Sequence, residues 1–250
     1  MSTCKIVLRL CCVLCLCGML CLCGAPCHAS SAAGTPGGRD YPRLFDEIAG
    51  IVEEHFFDPE RITRDFPAIR EAYRGALERV SSSKEFSALV NAMLGELNAS
   101  HTYYLTPDDY EYYQLAALFE KMPEIGALFD RGEALYPTVG LMTRSIEGRV
   151  FVVSVLEGGV ADEAGLLMGD EIVSAGGKPF EPVASLRTSS GASVSFEIRR
   201  HEGGKTFSVD MTPVLVNPKR EMLEAEKESV RLIELGDASI GYIHLYSYCL

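Results

Sequence analysis

At about Leu135 the hydrophobic period of this chain changes from a helical face to alternation along a strand. No other feature constrains the fold more. Before it, Leu44, Ile48, Ile51, Val52 and His55 share one helical face, which ends ahead of Asp58-Pro59. A second helix is expected over Ala68 to Val80. Ser82 and Glu85 form a capping box for a third, with Phe86, Leu89, Val90, Met93, Leu94 and Leu97 in one stripe. Thr106-Pro107 reads as the start of a fourth, running through Leu115 and Leu118. After the change, Val150 to Val155 is β-rich, and Ser193 to Arg199 places Val194, Phe196 and Ile198 on one side. Gly203-Gly204 turns the chain into a strand over Thr206 to Met211. Ala161 to Leu167 reads as a short helix closed by Gly165 or Gly169. The fold class expected is α+β: a helical domain over 41–122, then a compact, partly open β-barrel with two short helices over 123–216. Residues 219–235 are charged with sparse apolar positions and read as an exposed connector. Ser239 to Leu245 is an apolar strand with no partner in sight.

Eight of the nine cysteines lie in the first 27 residues and only Cys249 lies beyond. A disulfide scaffold would spread them through the fold, so this is not one. Residues 1–29 have the layout of a secretory signal: Lys5 and Arg9, an uncharged run from Leu10 to Ala25, then Cys27-His28-Ala29 at the cleavage position. Cleavage ranks first, a lipid anchor on a cysteine second and an uncleaved span third, because the run is short for a bilayer. Ser30 to Asp40 is a flexible leader. An exported chain results, periplasmic or extracellular, with membrane attachment only through its N-terminus. Loss of residues 1–29 takes net charge from −12 to −14. That field repels nucleic acid, and no basic patch offsets it.

Gly158-Gly159-Val160-Ala161-Asp162-Glu163-Ala164-Gly165-Leu166, Gly169-Asp170-Glu171-Ile172-Val173 and Gly176-Gly177-Lys178-Pro179 together resemble a bacterial PDZ domain, over about 137–213. In that family an x-apolar-Gly-apolar loop precedes the ligand-binding strand, and Thr138-Val139-Gly140-Leu141 fits the pattern and the position. Converging backbone N–H groups in such a loop form a nest for a terminal carboxylate, and the strand beyond it can accept an added peptide strand. The resemblance therefore implies peptide binding by Val139, Gly140, Leu141, Met142 and Thr143, with Leu186 as one wall of an apolar pocket. Taken alone, Val139-Gly140-Leu141 reads as merely a tight turn into a strand, since lone glycine turns are common; the downstream pattern favours the binding loop. The paired glycines lack the Lys-Ser/Thr that a phosphate loop requires.

Leu94-Gly95-Glu96-Leu97-Asn98-Ala99-Ser100-His101-Thr102-Tyr103-Tyr104-Leu105-Thr106-Pro107 resembles the segment that joins the N-terminal helices to the PDZ domain in S41-type serine peptidases. The Ser-His form is similar to the tricorn-like branch. By motif position, that resemblance gives His101 the role of general base and Ser100 a place in its relay, for a near-neutral imidazole can take a proton from a weak serine nucleophile. A histidine just past a helix also interacts with the helix's negative end without any catalytic role. In this family the nucleophile lies in an α/β core beyond the PDZ domain. Ile240 to Leu245 resembles that core's opening strand, so 217–250 is expected to be a connector plus the first strand of an incomplete core. None of the serines sits in a Gly-rich elbow. His28, His55, His101, His201 and His244 are dispersed, so neither a metal nor any other cofactor is expected. Tyr103, Tyr104, Tyr110, Tyr112 and Tyr113 read as packing.

The sequence thus points to an exported S41-type serine endopeptidase whose PDZ domain binds C-terminal tails of unfolded or precursor proteins, represented by a truncated chain that lacks the nucleophile. Two rivals remain open: a non-catalytic peptide-binding adaptor, and an inert remnant.

Overall fold

The computed structural model describes residues 40–246, apart from 188 and 190. The expected signal, the expected leader up to Arg39 and Cys249 lie outside the described residues. The chain divides into two compact units, one ending at Thr106 and the other beginning at Pro107.

The first unit is three helices: α1 (Tyr41–His55), α2 (Pro59–Ala76) with a 3-10 turn over Leu77–Arg79, and α3 (Ser83–Gly95). Each begins at a side-chain cap. Asp40, Asp58 and Ser82 accept hydrogen bonds from the N–H groups of Arg43, Arg61 and Glu85, and the capping box at Ser82 forms as expected. Asp58-Pro59 therefore starts a helix as well as ending one, and α2 begins nine residues earlier than its apolar spacing suggested. It continues through Pro67, which lies inside it. Phe45, Ile48, Val52, Phe66, Phe86, Val90, Met93, Leu94 and Leu97 fill the core. Outside the core, Asp46 on α1 takes Arg70 and Arg74 from α2, and Arg70 also reaches Glu53.

The second unit opens with α4 (Tyr110–Phe119) and the short α5 (Pro123–Gly126). The Thr106-Pro107 start is displaced to Asp109, because the Pro107 carbonyl accepts from the Tyr113 hydroxyl at 3.0 Å and the Arg187 guanidinium at 2.5 Å. The tyrosines do pack: Tyr113 stacks on Tyr136 at 5.6 Å, and Tyr110 and Tyr112 lie against Tyr136 and Phe129.

The sheet follows. Its strands are β2 (Leu141–Ile146), β3 (Arg149–Val155), β4 (Glu171–Ala175), β5 (Lys178–Pro179), β6 (Val194–Arg199) and β7 (Phe207–Met211). Their order is β2-β3-β4-β6-β7, with β5 paired to β4, and every pairing is antiparallel. β1 (Tyr136–Thr138) pairs separately with β8 (Val214–Val216). Two short helices complete this part, α6 (Val160–Glu163) and α7 (Ala184–Arg187). Val139, Val152, Ala161, Leu166, Ile172, Leu186, Phe196, Ile198 and Met211 form its core. The mixed helix-and-strand class expected from the sequence is what the chain adopts.

Residues 217–246 differ from expectation. The charged stretch is helix α8 (Pro218–Glu228), and it buries Met222, Ala225 and Glu226. The apolar strand is β10 (Ala238–Tyr242), paired antiparallel with β9 (Arg231–Leu235), so it is not left without a partner. Among the described residues, no helix is long and apolar enough to cross a membrane.

Two acids of the Gly169-Asp170-Glu171 motif hold the sheet together. Glu171 accepts from Arg149 on β3 at 2.9 and 2.7 Å and from Arg199 on β6 at 2.6 Å, tying three adjacent strands. Asp170 is 1% exposed and accepts from Arg200 at 2.9 and 2.8 Å and from the Leu167 N–H at 2.9 Å. Burial alone would raise the Asp170 carboxyl, but Arg200 and the Leu167 N–H outweigh it and hold the group below its usual range. A depressed carboxyl stabilises the fold fully above its unfolded pKa, near about 4, and loses that contribution as pH falls through the folded value. Asp170→Ala is expected to cost this unit about 2–3 kcal/mol at neutral pH. In denaturant titrations the gap to wild type should narrow below about pH 4. An unchanged gap at low pH would mean that the charge is not what stabilises.

Candidate functional site

The predicted peptide loop sits where β1 ends and β2 begins. Gly140 has φ +80°, in the left-handed region where a glycine carries no side-chain penalty. A Cβ there would lie 3.3 Å from the Cα of Gly159. The turn is clamped from both sides: the Leu156 N–H donates to the Gly140 carbonyl at 2.9 Å, and the Ala161 N–H donates to the Val139 carbonyl at 2.8 Å. Val139 points its side chain into the core, while Leu141, Met142 and Thr143 are half-buried on β2. β2 is an edge strand. β3 covers one side of it, and no strand covers the other among the described residues. The β2–β3 register slips at Met142/Thr143, leaving Val153 of β3 as the extra residue of a bulge. Leu186 on α7 is 2% exposed and belongs to the core.

Beneath the loop lies a group that sequence reasoning missed. The Gly140 N–H donates at 2.8 Å to the Thr138 hydroxyl, which donates at 3.0 Å to one carboxylate oxygen of Glu221 on α8. The Tyr136 hydroxyl donates to the other. Burial raises the Glu221 carboxyl, and the two hydroxyl bonds offset this only in part. The same burial, with Glu221 close by, pushes the Tyr110 and Tyr136 phenols up. The Tyr110 hydroxyl is buried without a hydrogen-bond partner among the described residues. Glu221 gave no sign in the sequence, because its partners lie more than 80 positions away.

Ser100 and His101 belong to the first unit. Both are exposed, and no hydrogen bond or ion pair to the His101 ring is present among the described residues. His101 has φ +62° and Asn98 φ +44°. The loop carrying them is fastened at its far end, where the Asn91 side chain on α3 bonds both the N–H and the carbonyl of Tyr104, at 2.6 and 3.0 Å. Tyr104 meets Phe86 edge-on at 5.8 Å. Asn91 is thus a second group missed from sequence, recognisable only once Tyr104 is seen beside it. No cluster of side chains able to hold a metal occurs among the described residues.

Residues 38–95 match the Tricorn protease C1 domain, and residues 151–200 match the PDZ domain. The chain thus carries one segment similar to the tricorn C1 domain and, after it, one similar to a PDZ domain. Over 223 residues it is 27% identical to "Putative tricorn protease homolog 2" of Streptomyces coelicolor, covering 82% of this chain but 18% of that protein. The chain thus spans under a fifth of that relative's length. Among solved structures it is similar to a photosystem II D1 C-terminal processing protease, with 20% identity, TM-score 0.37, 71% of this chain and 44% of the other. It is also similar to the PDZ domain of a carboxy-terminal protease from Vibrio cholerae in complex with peptide, with 18% identity, TM-score 0.27, 33% of this chain and 97% of the other. The resemblance to the tricorn-like branch read from the sequence agrees with the two matched segments and with the Streptomyces coelicolor relative. Ser100, His101 and residues 139–143 lie outside both matched segments.

A carboxyl whose folded pKa is raised favours the folded state most below its unfolded pKa, and that contribution is lost as pH rises through the folded value. Glu221→Gln removes this titration. Its lost acceptor is a constant offset, so unfolding free energies of wild type and variant should diverge in favour of the variant as pH rises above about 4. A difference that does not change with pH would show that Glu221 ionises normally.

Proposed function

We propose that this chain is the substrate-recognition portion of an exported S41-type serine endopeptidase, and that its PDZ domain captures C-terminal tails of unfolded or precursor proteins. The observation that carries this reading is the open edge of β2 directly after a loop turned by Gly140 at φ +80°. A peptide laid along that edge gains main-chain hydrogen bonds, and its terminal carboxylate meets N–H groups of the loop. Val139, Gly140, Leu141, Met142 and Thr143 supply backbone for this, and Leu186 supports the apolar floor from the core. The protease relative and the S41-type resemblance support the hydrolytic half. His101 is the proposed general base and Ser100 its relay partner, acting on a serine from a catalytic core that is not among the described residues. Export rests on residues 1–29, and attachment to a membrane, where it occurs, would run through the same segment.

A second reading, a non-catalytic peptide-binding adaptor, draws on one observation: among the described residues no serine hydroxyl is hydrogen-bonded to a histidine ring. The inert-remnant reading rested on an unpaired terminal strand, and β9 pairs with it.

The test is fluorescence anisotropy with one labelled, apolar-ended peptide prepared as free acid and as amide. At least about tenfold preference for the free acid is expected. Equal affinities would remove the carboxylate loop from the account. His101→Ala should leave both affinities within about twofold, because it is placed in the chemistry and not in binding. In the same samples, cleavage of an unfolded protein that disappears with His101→Ala would place the nucleophile in this chain.

A further inference from the structure

We infer that Thr138 and Glu221 are positioning residues for the peptide-carboxylate loop, joining helix α8 to the ligand end of β2; this rests on the peptide-binding reading above. Nearly all loops of this kind must hold their N–H groups in place before a ligand arrives, or ordering them weakens binding. Here one N–H is already held. Gly140 donates to the Thr138 hydroxyl, and Thr138 is 3% exposed. A hydroxyl that accepts from an N–H retains its own proton to give, and Glu221 takes it. Glu221 is held in turn by the Tyr136 hydroxyl, one strand residue pair away. The line from the Gly140 N–H to α8 therefore consists of one buried hydrogen bond and then part-buried ones, each with donor and acceptor matched.

α8 touches the same region a second time. The Glu228 side chain lies over Gly158, where a Cβ would come within 2.8 Å of its Cγ. Gly159, next in the chain, is the residue that backs Gly140. The start of α8 is fixed as well: Asn217 caps the Lys219 N–H at 3.0 Å, and its amide donates to Glu120 at 2.9 Å. One helix thus grips both strands of backbone that shape the loop. Because the Gly140 N–H is committed to Thr138, the peptide carboxylate takes the N–H groups that follow it. By reciprocity, a ligand that tightens the loop must tighten α8.

The experiment uses the full chain with the free-acid and amidated peptides, and compares wild type with Thr138→Val, Thr138→Ser and Glu221→Gln. Thr138→Val should weaken the free acid about tenfold and leave the amide unchanged, whereas Thr138→Ser should restore wild-type discrimination. Glu221→Gln, which keeps one acceptor, should fall between them. Saturating free-acid peptide should slow amide exchange across residues 218–228 of wild type, and slow it less in Thr138→Val. If both valine and serine variants keep the wild-type ratio of free acid to amide while melting earlier, Thr138 is structural only and the inference is overturned. If wild type itself binds acid and amide equally, the peptide-binding reading falls, and the inference falls with it. Should Thr138→Val fail to fold, Glu221→Gln decides: a ratio of free acid to amide unchanged from wild type overturns the inference.

Discussion

The approach of two backbones, at Gly140 and Gly159, is the constraint on which the β-rich unit depends. Side chains cannot come between them: a Cβ on Gly159 would stand 2.9 Å from the Leu156 carbonyl oxygen and 3.4 Å from the Gly140 Cα. With both positions bare, Leu156 and Ala161 can donate to Gly140 and Val139. These bonds bring three elements to one place, namely the start of β2, the end of β3 and the first turn of α6. The position of the open β2 edge relative to the loop follows from this backbone approach together with the Thr138–Glu221 hydrogen bonds beneath it. A side chain at either glycine would wedge the loop away from α6.

What the sequence made legible was local. α1 and α3 could be read because their stripes and the Ser82 cap lie within a few turns of each other, and the PDZ resemblance because its glycines punctuate consecutive turns. Asp58-Pro59 was misleading since a cap followed by proline marks a beginning as well as an ending, and only the Asp58 bond to the Arg61 N–H shows which sense governs α2. Residues 219–235 looked like an exposed connector because charge dominates them. Yet Met222, Ala225 and Glu226 fall on one side of α8 and are buried. The β9 strand had no alternation to read, for every residue from Arg231 to Leu235 is exposed. The Glu221 network and the Asn91–Tyr104 clasp were out of reach for a different reason. Each pairs ordinary polar residues whose partners become visible only when the chain has folded.

The electrostatics of the PDZ half follow a division of labour between its acids. Asp170 and Glu171 face arginines and are kept ionised, with their carboxyls held low. In a chain with net charge −12, such pairs give β3, β4 and β6 their cross-links. Glu221 has hydroxyls instead of guanidinium groups around it, and its carboxyl is pushed up. Hydroxyls can direct a carboxyl without neutralising it, so this site fixes geometry more than it adds stability.

The loop of Ser100 and His101 bears on how the histidine is to be understood. A favourable interaction with the negative end of α3 would account for a histidine near Gly95 without any chemistry. That effect fades within the last turn, whereas His101 lies six residues beyond the end of α3 and its ring is exposed. Nor is its backbone needed to stop the helix, since Asn98 already takes the left-handed turn and bonds back to Gly95. A second left-handed residue at 101 costs about 1 kcal/mol that helix termination does not require. The Asn91 clasp on Tyr104 holds the chain in that shape. The conformation at His101 is imposed by its surroundings, and the residue stays exposed.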